Sequence, residues 1–213
     1  VEATAAEIRV VGCLIEKQRT TPDAYPLSLN ALRLACNQST NRDPVVEYDK
    51  ATVRDAAQRL SKHGWARLAS RGGRTVKYRH LFDQALGLAD DEIALLAVLM
   101  LRGPQTPGEL KQRADRMYGF EDLDEVHLTL ERLIESGHAV DEGRRPGQKE
   151  TRYAHTLGGG EDEAPAPGSA AASPAPPPAE PDAKDDDRIE RLEAEVRALR
   201  RELDQLRASL GEG

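Results

Sequence analysis

Few side chains in this sequence are suited to covalent or metal chemistry. The best-placed nucleophile is Cys36, beside Asn37. Its neighbours Leu32, Leu34 and Ala35 put it on an inward-packing stretch of helix, where a thiol stays protonated and inert. Cys13 also sits in apolar surroundings, so the two cysteines form no disulfide scaffold and suit a reducing compartment. The five histidines are dispersed, with none at metal-ligand spacing from a cysteine. The chain contains no Gly-rich phosphate loop ending in Lys-Ser/Thr, no HExxH, no GxSxG and no paired CxxC. The expectation is a non-enzymatic protein with no cofactor and no metal.

Basic side chains offer a clearer pattern. A helix opening on Asp49 as N-cap and running to His63 would turn Val53, Ala56, Ala57 and Leu60 inward. Its outer faces then present Lys50, Arg54, Gln58, Arg59 and Lys62. The segment that follows adds Arg71, Arg74, Lys77 and Arg79, and no acidic residue falls between Lys62 and Arg79. Arg and Gln can read base edges, and Arg and Lys suit phosphates. A solvated charged face is the plainer account of most charge runs. Clustering on two adjacent elements makes double-stranded DNA the expected partner of these nine residues.

The elements that must hold them are written twice in the chain. The run from Val53 to Leu60, closing at Gly64, matches the run from Val126 to Leu133, closing at Gly137. Both have apolar residues at helical spacing and end on a glycine suited to a helix C-terminus. After each comes a strand, a Gly-rich turn and a second strand, ending on Tyr78 and His80 or on Tyr153 and His155. Upstream, EIRVVGCLIEK from Glu7 parallels EIALLAVLMLR from Glu92, each reading as a buried helix. Second helices are expected over Leu29 to Asn37 and Pro107 to Met117, the latter opened by the capping box Thr106 to Glu109. Three helices followed by a β-hairpin is the winged-helix order, in which a helix enters the major groove and the wing follows the backbone. Ile8, Val11, Leu14 and Ile15 in one helix, and Leu95, Val98 and Leu101 in the other, are the expected inner faces of two joined cores. Tyr25, Trp65, Tyr78, Tyr118, Phe120 and Tyr153 punctuate turns and strand ends, so core packing is their expected role.

Two features argue against DNA. The connection Gln38 to Tyr48 is eleven residues long, whereas helix-turn-helix readers use a tight turn. Its NQSTNRDPV loop suits a peptide-binding or inter-domain role instead. In addition, the third helix of the second copy carries Asp122, Asp124, Glu125, Glu131 and Glu135 against Arg132 alone, which repels phosphates. An adaptor that binds an unidentified protein, with winged helices as packing modules, is therefore the rival reading.

Charge divides the chain in the same way. Residues 1–88 carry 14 basic and 9 acidic side chains, residues 89–160 carry 9 and 14, and residues 161–213 carry 7 and 14. Only the first block favours a polyanion. From Gly158 to Lys184 there are seven prolines and eight alanines but no aromatic, Leu, Ile or Val, a composition that cannot offset chain entropy and reads as a disordered linker. Beyond it Ile189, Leu192, Val196, Leu199, Leu203, Leu206 and Leu210 recur at alternating spacings of three and four. Arg188–Glu193, Glu195–Arg200 and Glu202–Arg207 are opposite in charge at positions that face each other in a parallel pair. These features predict a short parallel coiled coil and a homodimer, the alternative being a helix that folds back on its own body. The longest apolar run, Ile93 to Leu101, has nine residues where a membrane span needs about 18. With no basic-then-apolar opening segment either, a cytoplasmic protein without membrane attachment is expected.

The stretches TTPDAYPLSLNALRLACNQSTNRDPV from Thr20 and LRGPQTPGELKQRADRMYGF from Leu101 resemble the YceH-type family of uncharacterised bacterial proteins. The resemblance covers about Ala6 to His155 and implies a tandem winged-helix protein; it brings no biochemical activity with it. The expected architecture is mainly α with small β-hairpins: a basic winged-helix domain over 1–88, an acidic one over 89–157, a disordered Pro/Ala linker over 158–184 and a coiled-coil helix over 185–213.

Overall fold

A computed structural model describes residues 3–69, 76–144 and 150–158. The linker from residue 159 onward and the heptad residues Ile189, Leu192, Val196, Leu199, Leu203, Leu206 and Leu210 lie outside the described residues. The described residues are mainly helical with two small antiparallel sheets.

In the first half, α1 (Ala5–Thr20) starts on a capping box between Thr4 and Glu7. A single 3-10 turn (Pro22–Ala24) leads to β1 (Leu27–Ser28) and α2 (Leu29–Cys36), which Ser28 caps through the Ala31 amide. Asp49 caps α3 (Lys50–Lys62) by accepting from the Thr52 amide at 2.7 Å, as the sequence predicts. Strands β2 (Ala66–Ala69) and β3 (Lys77–His80) follow, and β1 pairs with the other edge of β3. After a short helix α4 (Phe82–Leu86), the second half repeats the plan with α5 (Asp90–Arg102), α6 (Pro107–Ala114), α7 (Leu123–Glu135), β4 (Ala139–Arg144) and β5 (Thr151–His155). Even the short β1 has a counterpart, a two-bond bridge between Gln105 and Tyr153.

Gly64 and Gly137 end α3 and α7 with φ of 77° and 74°, a left-handed conformation that glycine adopts without a Cβ penalty. The amides of Trp65 and His138 then close back onto the carbonyls of Leu60 and Leu133 at 2.9 and 2.8 Å.

Two expectations are corrected. The second-half helix opened by Thr106 stops at Ala114 rather than Met117. The Ala114 carbonyl accepts from the amides of both Met117 and Tyr118, and Lys111 donates to the carbonyls of Phe120 and Glu121, so the chain turns back there. The two cores are also not divided helix by helix. Ile93, Leu96, Ala97, Met100 and Leu101 of α5 belong to the first-half core, while Ala94, Leu95, Val98 and Leu99 belong to the second. Its nine consecutive buried residues serve both halves at once, as an all-round apolar helix must.

The crossing of α1 and α5 is close. A Cβ on Gly12 would lie 3.0 Å from Leu101 Cγ, so glycine is what lets the helices approach. The long connection after α2 is tied to the same junction. Arg42 is buried, donates to Glu16 at 3.1 and 2.6 Å, and reaches the Ala35 carbonyl at 3.1 Å. Arg9 donates to the carbonyls of Cys36 and Pro44, and the Asp43 amide donates to the Leu101 carbonyl at 2.9 Å. These bonds tie the connection inward to α1, α2 and α5.

Candidate nucleic-acid interface

Helix α3 places its apolar residues as the spacing requires. Val53, Ala56, Ala57 and Leu60 are buried, while Lys50, Arg54, Gln58, Arg59 and Lys62 are exposed. Arg59 differs from the rest. Its Nε lies 3.3 Å from Oε1 of Glu7, whose side chain is 2% exposed, and His63 Nε2 is 3.8 Å from the same oxygen. Arg59 thus neutralises a buried carboxylate of α1, and its guanidinium is partly committed to the fold.

The second strand contributes two predicted residues. Lys77 is exposed and Arg79 half-buried, whereas Arg71 and Arg74 lie outside the described residues. The β2–β3 register sets Arg67 opposite Arg79 and Ala69 opposite Lys77, while Leu68 pairs with Tyr78 and Ala66 with His80. Cross-strand partners share a face, so Arg67, Lys77 and Arg79 stand together, away from buried Tyr78 and His80. The sequence pattern of basic residues does not single out Arg67. The alternation of Ala66, Arg67 and Leu68 does carry the signal, because it fixes the face once a strand is assigned.

The second half differs in electrostatics. Asp124, Glu131 and Glu135 are exposed on α7, and Glu125 is half-buried with hydrogen bonds from Tyr118 Oη and the Glu121 amide. The one cation there, Arg132, is taken up by Asp91 and Glu92 of α5, with Nε 3.2 Å from Glu92 Oε1. The outward surface of α7 is left acidic, interspersed with exposed Leu123, Leu128 and Ile134.

The two thiols lie together in the first-half core. Cys13 and Cys36 are both free and buried, and hydrogen bonding to Cys13 together with burial pushes the Cys36 thiol well up. Among the described residues, no group of three or more His, Cys, Asp or Glu could hold a metal ion. No described helix is long and apolar enough to cross a membrane. The aromatics pack as expected where buried, with Trp65 edge-on to Phe82 at 4.9 Å.

Residues 3–148 match the family model described as "Protein of unknown function, DUF480". The chain belongs to this family. A UPF0502 protein of Koribacter versatilis is 50% identical over 193 positions, covering 90% of this chain and 87% of the relative. A second UPF0502 protein, from Pelobacter propionicus, is 47% identical across 94% of this chain and 91% of its own length. The UPF0502 protein YceH of Salmonella newport is 45% identical, covering 99% of both chains. The similarity to the Salmonella relative therefore continues past His155, where the motif resemblance stops, and into the C-terminal tail.

Proposed function

We propose that this DUF480 protein is a non-enzymatic tandem winged-helix protein that binds duplex DNA through its first half. In this reading α3 enters the major groove and the β2–β3 hairpin is the wing that follows the phosphates. The carrying observation is the juxtaposition of Arg67 and Arg79. Like charges directly opposite one another destabilise a sheet, and a polyanion laid across them removes the cost. Helix α3 joins this hairpin directly through Gly64, with Lys50, Arg54, Gln58 and Lys62 exposed. Arg59 joins them as a secondary contact, because Glu7 already engages it. Arg71 and Arg74, which fall between the two strands in sequence, add to the same charge.

The proposal includes a parallel homodimer formed by the heptads from Ile189 to Leu210, in a cytoplasmic protein. Two first halves joined in one dimer gain affinity for long duplexes through effective concentration. The second half supplies a packing partner and not a second reader, since its acidic α7 repels phosphates.

A second reading is favoured by α7 itself. Exposed Leu123, Leu128 and Ile134 among Asp124, Glu131 and Glu135 suit a basic, partly apolar protein partner, as an adaptor requires. Fluorescence anisotropy with a mixed-sequence duplex at low and high salt separates the two. Salt-sensitive binding by the full chain supports the DNA reading; no binding at low salt overturns it and leaves the adaptor.

A further inference from the structure

A cleft of about 570 Å³ opens on the side of the molecule formed by α1, the connection after α2, α5 and α6. Four cations line it: Lys17, Arg102, Arg113 and Arg116. Its single lining carboxylate, Glu16, is held from behind by buried Arg42 at 2.6 and 3.1 Å. Among the described residues neither Arg102 nor Arg116 pairs with a carboxylate, and Arg102 instead donates to Asn41 Oδ1. Burial, and then the charges of Arg113 and Arg42, lower the Arg102 pKa, as expected where cations crowd one another.

Helix ends and ion pairs offset part of this charge. The last turns of α1, α5 and α6 all border the cleft, and each helix end carries about half a negative charge. Lys17 also pairs with Glu16 at 3.4 Å and Arg113 with Glu109 at 3.5 Å, which leaves Arg102 and Arg116 as the lining cations with no carboxylate partner among the described residues. The remainder of the wall is polar (Thr20, Gln38, Thr40, Gln112) with half-buried Met117, while Val98 and Leu101 are buried in the cores behind it. The volume lies within the range of small-molecule sites, about 300–1,000 Å³, and is far larger than a single phosphate needs.

We infer that this cleft is a binding site for a small organic phosphate of the nucleoside diphosphate class. Its phosphates lie against Arg102, Arg113 and Arg116, and the rest of it lies along Met117 and the polar wall of Gln38, Thr40 and Gln112. The site involves neither α3 nor the β2–β3 hairpin, so it stands independently of the DNA reading. It draws on both halves, and an occupant would bridge them.

Isothermal titration calorimetry on the full chain, with adenosine diphosphate, pyrophosphate and adenosine as probes, tests the inference. The diphosphate nucleoside should bind more tightly than pyrophosphate, and pyrophosphate more tightly than adenosine. Arg116→Gln and Gln112→Glu change exposed positions and keep the fold; each should weaken adenosine diphosphate about tenfold, the worth of one charge-assisted hydrogen bond. The pair Lys50→Gln and Arg54→Gln on α3 should leave it unchanged. No adenosine diphosphate binding at millimolar concentration, adenosine binding as tightly as the diphosphate, or cleft variants within twofold of the parent would overturn the site. Pyrophosphate matching adenosine diphosphate would overturn the organic body. Loss of binding on the α3 change would reassign it to the DNA face.

Discussion

Arg59 Nε lies 3.3 Å from Oε1 of Glu7, and the repeat builds the same pair a second time, between Arg132 and Glu92 at 3.2 Å. In each half the carboxylate also accepts from the backbone amide at its own helix N-cap, Thr4 or Ala89. One glutamate thus caps the first helix and ties it to the third. Arg59→Ala removes the Arg59 half of the arrangement and leaves the Glu7 Oε1, in a side chain 2% exposed, with His63 as its basic neighbour. Because Arg59 is half-exposed, the expected loss is about 1–2 kcal/mol, below the cost of breaking a fully buried pair. Urea unfolding of Arg59→Ala, Glu7→Gln and the double variant measures the coupling; fully additive losses would show that the two residues do not support each other.

Stability should fall on mild acidification because of His80. The ring is 2% exposed, bonded through Nε2 to Gln18, and burial pushes its pKa down to about 4 from 6.5 despite nearby Asp83. Between these two values the unfolded chain takes up a proton that the fold refuses, so stability drops as pH falls from 6.5 and levels off below 4. The effect is at most on the order of 3 kcal/mol. His155, also lowered by burial, acts in the same direction. Unfolding curves at pH 7 and pH 4.5 should differ less for His80→Gln than for the parent; an equal difference would place the acid sensitivity elsewhere.

Arg42 should matter to the long connection more than any other residue in it. Its side chain is buried and bonded to Glu16, Gln38 and two backbone carbonyls. Removing one partner of a buried pair costs about 3–5 kcal/mol. Arg42→Ala should therefore lower the denaturation midpoint sharply and speed hydrogen exchange at the Asp43 amide, which is bonded to Leu101 in the parent. Unchanged exchange at Asp43 would mean that Arg9, Arg102 and the two bonds between Asn37 and the Tyr48 backbone hold the connection without Arg42.

Local signals carried most of the helix map. Asp49, Thr106, Gly64 and Gly137 act within one turn of where they stand, so they fix helix ends without knowledge of the fold. What the periodicity left open depends on contacts distant in sequence. Nine consecutive apolar residues in α5 report burial on every side, yet not that alternate faces serve different cores. Arg59 and Arg132 occupy equivalent positions, as do Glu7 and Glu92, so the repeat already held the ion pairs; exposure alone made Arg59 resemble a DNA contact. The cleft was not legible at all, because its cations come from positions 17, 102, 113 and 116 and share no local pattern.

The tail should set the oligomeric state. If the pairings Arg188–Glu193, Glu195–Arg200 and Glu202–Arg207 select a parallel dimer, deleting 188–213 should shift the protein toward monomer in sedimentation equilibrium. A coil of about three heptads is weak, so the parent should itself dissociate on dilution. A dimer that survives the deletion would move the interface to the folded body.

The wing offers a test in which stability and binding move in opposite directions. Arg67→Gln removes the like-charge partner of Arg79, and should stabilise the fold by up to about 1 kcal/mol if the two repel. The same change should weaken duplex binding and reduce the slope of log affinity against log salt by about 0.9 for each phosphate no longer neutralised. Lys50→Glu with Arg54→Glu on α3, both exposed, should reduce it further. Arg144→Glu in β4, beside the acidic second half, should have little effect. A residue that serves only the fold cannot become more stable and less able to bind DNA when neutralised, so Arg67→Gln separates a binding surface from a solvated one. Equally weakened binding in Arg67→Gln and Arg144→Glu, or an unchanged salt slope in the α3 variant, would sink the DNA reading and leave the acidic face of α7 as the functional surface.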